Sequence, residues 1–117
     1  MAPRGTNPNF MNGVPELLIL RLLKEREMYG YEIVQAIRSG TDAVISFGEG
    51  VVYPVLHALE REGALRSCRK TIESRSRIYY AITPAGTRRL VDLAESWISL
   101  ATALHRMLTG GSHGEAI

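Results

Sequence analysis

The sequence predicts an α+β domain that is mainly helical and carries one small β-hairpin. Three segments with helical hydrophobic spacing precede Gly63, a stretch of alternating residues follows it, and a long uninterrupted helical segment comes last. With 117 residues, the chain is long enough for a single domain with its own core. Its 45% hydrophobic and 22% charged residues are typical of a folded globular protein.

The sequence also indicates the cellular compartment of the protein. No apolar run approaches the roughly 18 to 20 residues that a membrane span needs. The first residues lack the apolar centre of a signal peptide, and the lone Cys68 has no second cysteine with which to form a disulfide within the chain. We therefore expect a cytoplasmic protein without a membrane partner.

The first part of the chain predicts an arm and two helices. Residues 1–13 hold two of the five prolines, which indicates a flexible arm. The first helix begins near Pro15, where a missing N–H costs little, and it ends near Glu27. Residues 28–30 then form a turn before a second, short helix. The apolar face of this second helix consists of Ile33, Val34 and Ile37.

A third helix follows, and its start allows two interpretations. Its apolar positions are Val52, Leu56 and Leu59. Gly63 suits the left-handed conformation just beyond a helix end. Ser46 and Glu49 have the spacing of a capping box, but a start there puts Pro54 where it removes a hydrogen bond. A start within residues 48–50 is therefore preferred.

Beyond Gly63 the hydrophobic period changes from 3.6 to 2. Residues 65–71 and 77–82 are predicted as two strands, with residues 72–76 as the tip of the hairpin. Thr83 and Pro84 then have the character of an N-cap and a first helical residue. We therefore assign residues 14–83 to one domain of three helices and a hairpin.

The last helix is predicted over residues 84–108, about twice the usual length. A heptad-like seam runs along it, formed by Leu90, Leu93, Trp97, Leu100, Leu104 and Met107. A second apolar stripe lies beside this seam, and together they are wider than one small domain covers. We therefore predict a homodimer through this helix, the alternative being a helix lying entirely across its own domain. Residues 109–117 are predicted to be a disordered tail.

Positive charge is concentrated in one segment. Between Arg61 and Arg89 there are eight basic residues and two acidic ones, a net charge of +6, whereas the whole chain is only +2 and the remainder therefore −4. Lys and Arg gain affinity for phosphates by releasing condensed counterions. The segment therefore predicts a polyanionic partner, and the competing interpretation is an ordinary solvated charged face.

Three helices followed by a basic hairpin are typical of a winged helix-turn-helix fold. Three motifs occur along the chain, namely GYEI at 30–33, VVYPVLHALEREG at 51–63 and YYAITPAG at 79–86. Over about residues 14–108 the chain resembles the PadR-like transcriptional regulators. The resemblance implies a dimeric repressor with its third helix in the DNA major groove, its wing on the flanking backbone and its last helix in the dimer. The family usually has a hydroxyl residue where this chain has Val51, which leaves a methyl contact to thymine in place of a hydrogen bond.

Eight residues are predicted to contact double-stranded DNA at a pseudo-palindromic operator. The spacing of four residues selects Tyr53, His57 and Arg61 on the third helix; the resemblance adds Tyr31; and the hairpin adds Arg69, Lys70, Arg75 and Arg77. For three of the eight, another interpretation stays open. Tyr53 and Tyr31 also suit packing positions, and Arg61 also suits a pairing with Glu62 or solvent.

The seam of the last helix is also the candidate effector site. Some relatives stack flat hydrophobic effectors on an aromatic residue at the subunit interface, and the resemblance extends to residues 95–97. Trp97 is therefore either part of a site for a small aromatic effector or a core tryptophan. No cofactor, metal site or catalytic group is predicted, which argues against an enzyme. The alternative function is a winged-helix protein-interaction module that does not bind DNA.

Overall fold

The computed structural model describes residues 13–110 and confirms the predicted fold class. Four helices and three strands follow one another in the order α1 (Val14–Glu25), β1 (Met28–Tyr29), α2 (Gly30–Gly40), α3 (Glu49–Arg61), β2 (Leu65–Ile72), β3 (Arg75–Ile82) and α4 (Pro84–Thr109). The predicted arm and tail fall outside the described residues, except for Gly13, Thr109 and Gly110. Within residues 13–110, no helix is both long enough and apolar enough to cross a bilayer.

The sheet has a third strand where the sequence predicted a turn. Helix α1 ends at Glu25 rather than near Glu27, because Arg26 adopts an extended conformation. Strand β1 then pairs with β3, Met28 opposite Tyr80 and Tyr29 opposite Tyr79, so that the strand order is β1-β3-β2. A strand of two residues has no alternation to detect, and only its partner's backbone makes it a strand.

The hairpin is longer and tighter than predicted. The β2–β3 ladder continues to the pair Ile72–Arg75, which leaves only Glu73 and Ser74 in the turn. Both turn residues have positive φ, 53° and 70°, as a two-residue turn that matches strand twist requires. The predicted five-residue tip was wrong because a ladder between two strands needs backbone groups and not apolar side chains.

Helix α3 begins where the preferred interpretation placed it. Gly48 is its N-cap and Gly63, with φ of 84°, lies just beyond its end. Pro54 nevertheless lies inside the helix, and it is exposed. Because proline has no N–H, the carbonyl of Gly50 has no helical donor at this point. The side facing solvent is where this loss costs least, since water can bond to the free carbonyl.

The core lies where α1, α2, α3 and the sheet meet. Its fully buried side chains are Ile19, Leu20, Ile33, Val52, Leu56 and Leu59. All of them belong to the apolar faces of the predicted helices. Tyr80 and Leu65 close the core from the sheet.

Helix α4 is attached to this core by its first turn. The Thr83 hydroxyl accepts a hydrogen bond from the Gly86 N–H (3.1 Å) and donates one to the Gly63 carbonyl (2.6 Å). One turn later, the Arg89 guanidinium bridges Glu16 of α1 (2.6 Å) and Glu62 just beyond α3 (2.7 Å). These contacts join the start of α4 to both α1 and the end of α3.

Only the first half of α4 packs on its own domain. Leu90 is 5% exposed and belongs to the core, and Leu93 and Trp97 are partly buried against it. From Ile98 onward, every described residue of the helix is exposed. The structure therefore excludes the alternative in which the helix lies entirely across its own domain.

Candidate nucleic-acid interface

A cleft of about 580 Å³ opens between the start of α2, one side of α3 and strand β3. Its lining residues are Tyr29, Gly30, Tyr31, Tyr53, His57, Arg75, Arg77, Ile78 and Tyr80. Five of the eight predicted DNA-binding residues are thus in one place, although they are up to 46 positions apart along the chain, from Tyr31 to Arg77. The cleft combines hydroxyl and imidazole groups with two guanidinium groups, all of which bind phosphate.

Tyr53 is held in the cleft wall by Gly30. Its ring is half-buried, and a Cβ atom on Gly30 would overlap the far end of the ring, so any other residue there would displace Tyr53 from this position. Burial, with a smaller contribution from the negative charge of Glu49, raises the pKa of the Tyr53 hydroxyl. The group therefore keeps its proton at neutral pH and is available as a hydrogen-bond donor. His57 lies one turn further along α3, with 6.2 Å between the two ring centroids.

The two arginines of β3 occupy different environments. The Arg77 guanidinium lies 4.2 Å from the centre of the Tyr29 ring, which in turn meets Tyr79 edge-on at 5.4 Å. This cation–π contact fixes one positive charge in the cleft wall. Arg75 is exposed near the tip of the hairpin, and within residues 13–110 it has no ion-pair partner. Its charge is therefore available to an anion from outside.

The other two hairpin cations predicted to contact DNA, Arg69 and Lys70, already have partners within the domain. Lys70 forms an ion pair with Glu27 and lies 5.4 Å from the Tyr79 ring centre. The hydrogen bond to Glu27 raises the pKa of the Lys70 amine against the opposing effect of burial. Arg69 donates a hydrogen bond to the Ser76 hydroxyl (3.1 Å) across the hairpin. Neither residue lines the cleft.

The exposed face of α3 differs slightly from the predicted one. At 100° per residue, the positions opposite the buried Val52, Leu56 and Leu59 form an outer stripe of Gly50, Pro54, His57 and Arg61. All four are exposed. Tyr53 lies beside this stripe, turned toward α2, because Gly30 leaves a space for its ring. Tyr53 therefore packs beside Gly30 and also lines the cleft, and its DNA contact stays a prediction.

Four members of the cleft were not among the residues predicted from the sequence. Tyr29 enters it through strand β1, which the sequence did not reveal, and Gly30 enters it as the first residue of α2. Ile78 and Tyr80 lie in the segment 77–82, which the sequence predicted only as a strand. The sequence signal for this part of the cleft was Gly30 between Tyr29 and Tyr31, since a glycine beside aromatic residues often marks a close approach of two segments.

Comparisons with known proteins give a consistent result. The model of the transcriptional regulator PadR-like family matches residues 19–92. The transcriptional regulator Rv3488 of Mycobacterium tuberculosis is 31% identical over 104 residues, which cover 89% of this chain and 92% of that protein.

Solved structures of transcriptional regulators are also similar to this chain. A transcriptional regulator from Clostridium thermocellum has a TM-score of 0.76 and 32% identity, covering 84% of this chain and 96% of that chain. A PadR-like transcriptional regulator from Bacillus cereus has a TM-score of 0.75 and 28% identity, covering 86% and 96%. A family match over most of the domain and a relative of this identity over nearly the full length lead to one conclusion: the chain belongs to the PadR-like family of transcriptional regulators.

Proposed function

We propose that the protein is a cytoplasmic repressor that binds a pseudo-palindromic operator as a homodimer. The observation that carries this proposal is the cleft beside the outer stripe of α3. It gathers Tyr31, Tyr53, His57, Arg75 and Arg77 on the side of the domain from which the stripe projects. Donors of this kind next to an exposed helix suit a helix in the major groove flanked by phosphate contacts.

In the proposed complex, different residues make the base contacts and the phosphate contacts. The outer stripe of α3 faces the base edges, and the phenol of Tyr31 and the guanidinium of Arg75 meet phosphate oxygens on the side where the cleft lies. Arg77, stacked on Tyr29, adds positive charge to the same surface. The phosphate contacts set affinity and position, whereas α3 sets sequence preference.

The homodimer is supported by the uncovered half of α4. Its large apolar side chains are each at least half exposed, namely Ile98 (66%), Leu100 (50%), Leu104 (51%), Met107 (76%) and Leu108 (85%). Contiguous apolar surface of this kind mostly marks an interface. Because the seam of α4 has the heptad spacing of helices that pack along their length, a second copy of α4 is a complementary partner. Two reading helices are then expected about 34 Å apart, one turn of DNA.

Duplex binding as a function of salt concentration tests this proposal directly. We expect purified protein to bind the region upstream of its own gene at low salt. The logarithm of the association constant should then fall linearly with the logarithm of the salt concentration. Footprinting on the same fragment should protect two half-sites. A dimer that binds no duplex at low salt would instead support the protein-interaction module.

The Arg75→Ala variant is expected to weaken binding to all duplexes similarly. Because a phosphate contact carries no sequence information, the slope of log affinity against log salt should fall by about 1 per protomer. The matched control is Arg21→Ala, which removes the same charge from α1, where Arg21 pairs with Glu25 (2.7 Å). An unchanged slope for Arg75→Ala would contradict the role of the wing.

We further propose that a flat aromatic effector binds beside Trp97 and releases the operator. Trp97 lies where the covered half of α4 meets the exposed half, and it is partly buried. An aromatic compound stacking there is expected to quench its fluorescence, which reports one site because the chain has a single tryptophan. Titration against free N-acetyltryptophanamide corrects for light absorption by the compound. If no planar compound in a panel quenches Trp97 beyond this control, the residue is a core tryptophan.

A further inference from the structure

The N-terminal half of α3 presents no side-chain hydrogen-bond donor on its outer stripe. Gly50 and Pro54 belong to the outer stripe, and Val51 is 41% exposed beside them. The exposed donors of the helix, His57 and Arg61, come only after Pro54. Glu49, in the first turn, has a carboxylate and no donor. Tyr53, the other polar residue of this half, turns toward Gly30.

This distribution matters because a recognition helix contacts base edges mainly with its N-terminal residues. In the major groove, the one base feature that an apolar side chain distinguishes is the C5-methyl group of thymine. We propose that Val51 and Pro54 recognise thymine methyl groups, so that each half-site carries thymine where the first turns of α3 enter the groove. This inference rests on the proposed function, operator binding through α3.

Pro54 adds independent support. A proline inside a helix gives up one backbone hydrogen bond and strains the preceding turn. Folding gains little buried surface in exchange here, because Pro54 is exposed and only lines an open groove with Pro15 of α1 and Ala58 of α3. Neither Pro54 nor Val51 belongs to the core cluster. Two exposed apolar residues that do not serve the core are thus adjacent on the surface that faces DNA in the proposed complex.

Replacing thymine by deoxyuridine tests the proposal without touching the protein. The operator is first selected from random duplexes with the full chain, and the thymines of each half-site are then replaced by deoxyuridine, which removes only the methyl group. We expect affinity to fall about fourfold per half-site, the effect of one buried methyl group, and about fifteenfold for both. The fall should be the same at low and moderate salt, since no charge changes.

Protein variants identify which side chain meets the methyl group. For Val51→Ala and Pro54→Ala, the ratio of affinities for thymine and deoxyuridine duplexes should move toward one. His57→Ala is the matched control on the same helix face; it weakens both duplexes and keeps the native ratio. Thermal melts verify that all three variants fold, and Pro54→Ala should melt higher because it restores a helical hydrogen bond.

The outcomes separate this inference from the proposed function. If thymine and deoxyuridine duplexes bind equally, or if the selected half-sites lack thymine, methyl recognition is overturned while operator binding stands. A methyl effect that both alanine variants retain also overturns the assignment to Val51 and Pro54. Absence of any duplex binding at low salt overturns both proposals.

Discussion

Leu104→Asp is expected to convert the protein to monomers and to lower operator affinity at least about 100-fold. Leu104 is half exposed in the protomer and lies on the seam of α4, so in the proposed dimer a carboxylate there would be buried without a partner. Linking two half-site readers raises affinity by roughly 100- to 10,000-fold over one reader, and a monomer loses this gain. Sedimentation and operator titration on the same samples measure both effects.

Ser99→Asp provides the matched control for this variant. It adds the same charge to the same helix, but on the polar side, which also carries Asp92, Glu95 and Arg106. We expect it to remain a dimer with native affinity. A Leu104→Asp protein that sediments as a dimer would contradict the interface and, with it, the paired reading of half-sites.

Gly86→Ala is expected to reduce the free energy of unfolding by about 1–3 kcal/mol, near the upper end of that range. A Cβ atom at Gly86 would overlap the carbonyl oxygen of Ala64 and press on the Ile82 side chain. The Ala64 carbonyl is held in place because it accepts a hydrogen bond from the Thr83 N–H (3.0 Å). Backbone atoms so fixed cannot give way as a flexible side chain would. The expected result is a shift of the start of α4 away from the domain.

Denaturant titration of Gly86→Ala against Gly40→Ala measures this effect. Gly40 also lies within a helix, but a Cβ atom added there would meet no atom within 4 Å. Alanine should therefore be neutral or stabilise there, by up to about 1 kcal/mol. Equal midpoints for the two variants would mean that α4 does not need a close approach at Gly86.

The course of the helices could be predicted from the sequence because each depends on local information. Pro15, the spacing of Val52, Leu56 and Leu59, and the Thr83-Pro84 pair each specify a start or a buried face within a few residues. The apolar face of α4, which is wider than one small domain covers, could be predicted for the same reason. These local features are sufficient to predict the fold class without information about long-range contacts.

The arrangement of the candidate site required the tertiary structure. Strand β1 exists only because β3 lies beside it, and Tyr53 faces α2 only because Gly30 leaves a space there. Lys70 shows the same dependence, since its partner Glu27 is 43 positions away and withdraws it from the cleft. Periodicity reports which side of an element is buried, but it carries no information about which distant residue meets that side. The sequence therefore determined which residues are candidates, and packing between distant segments decided which of them share one cleft.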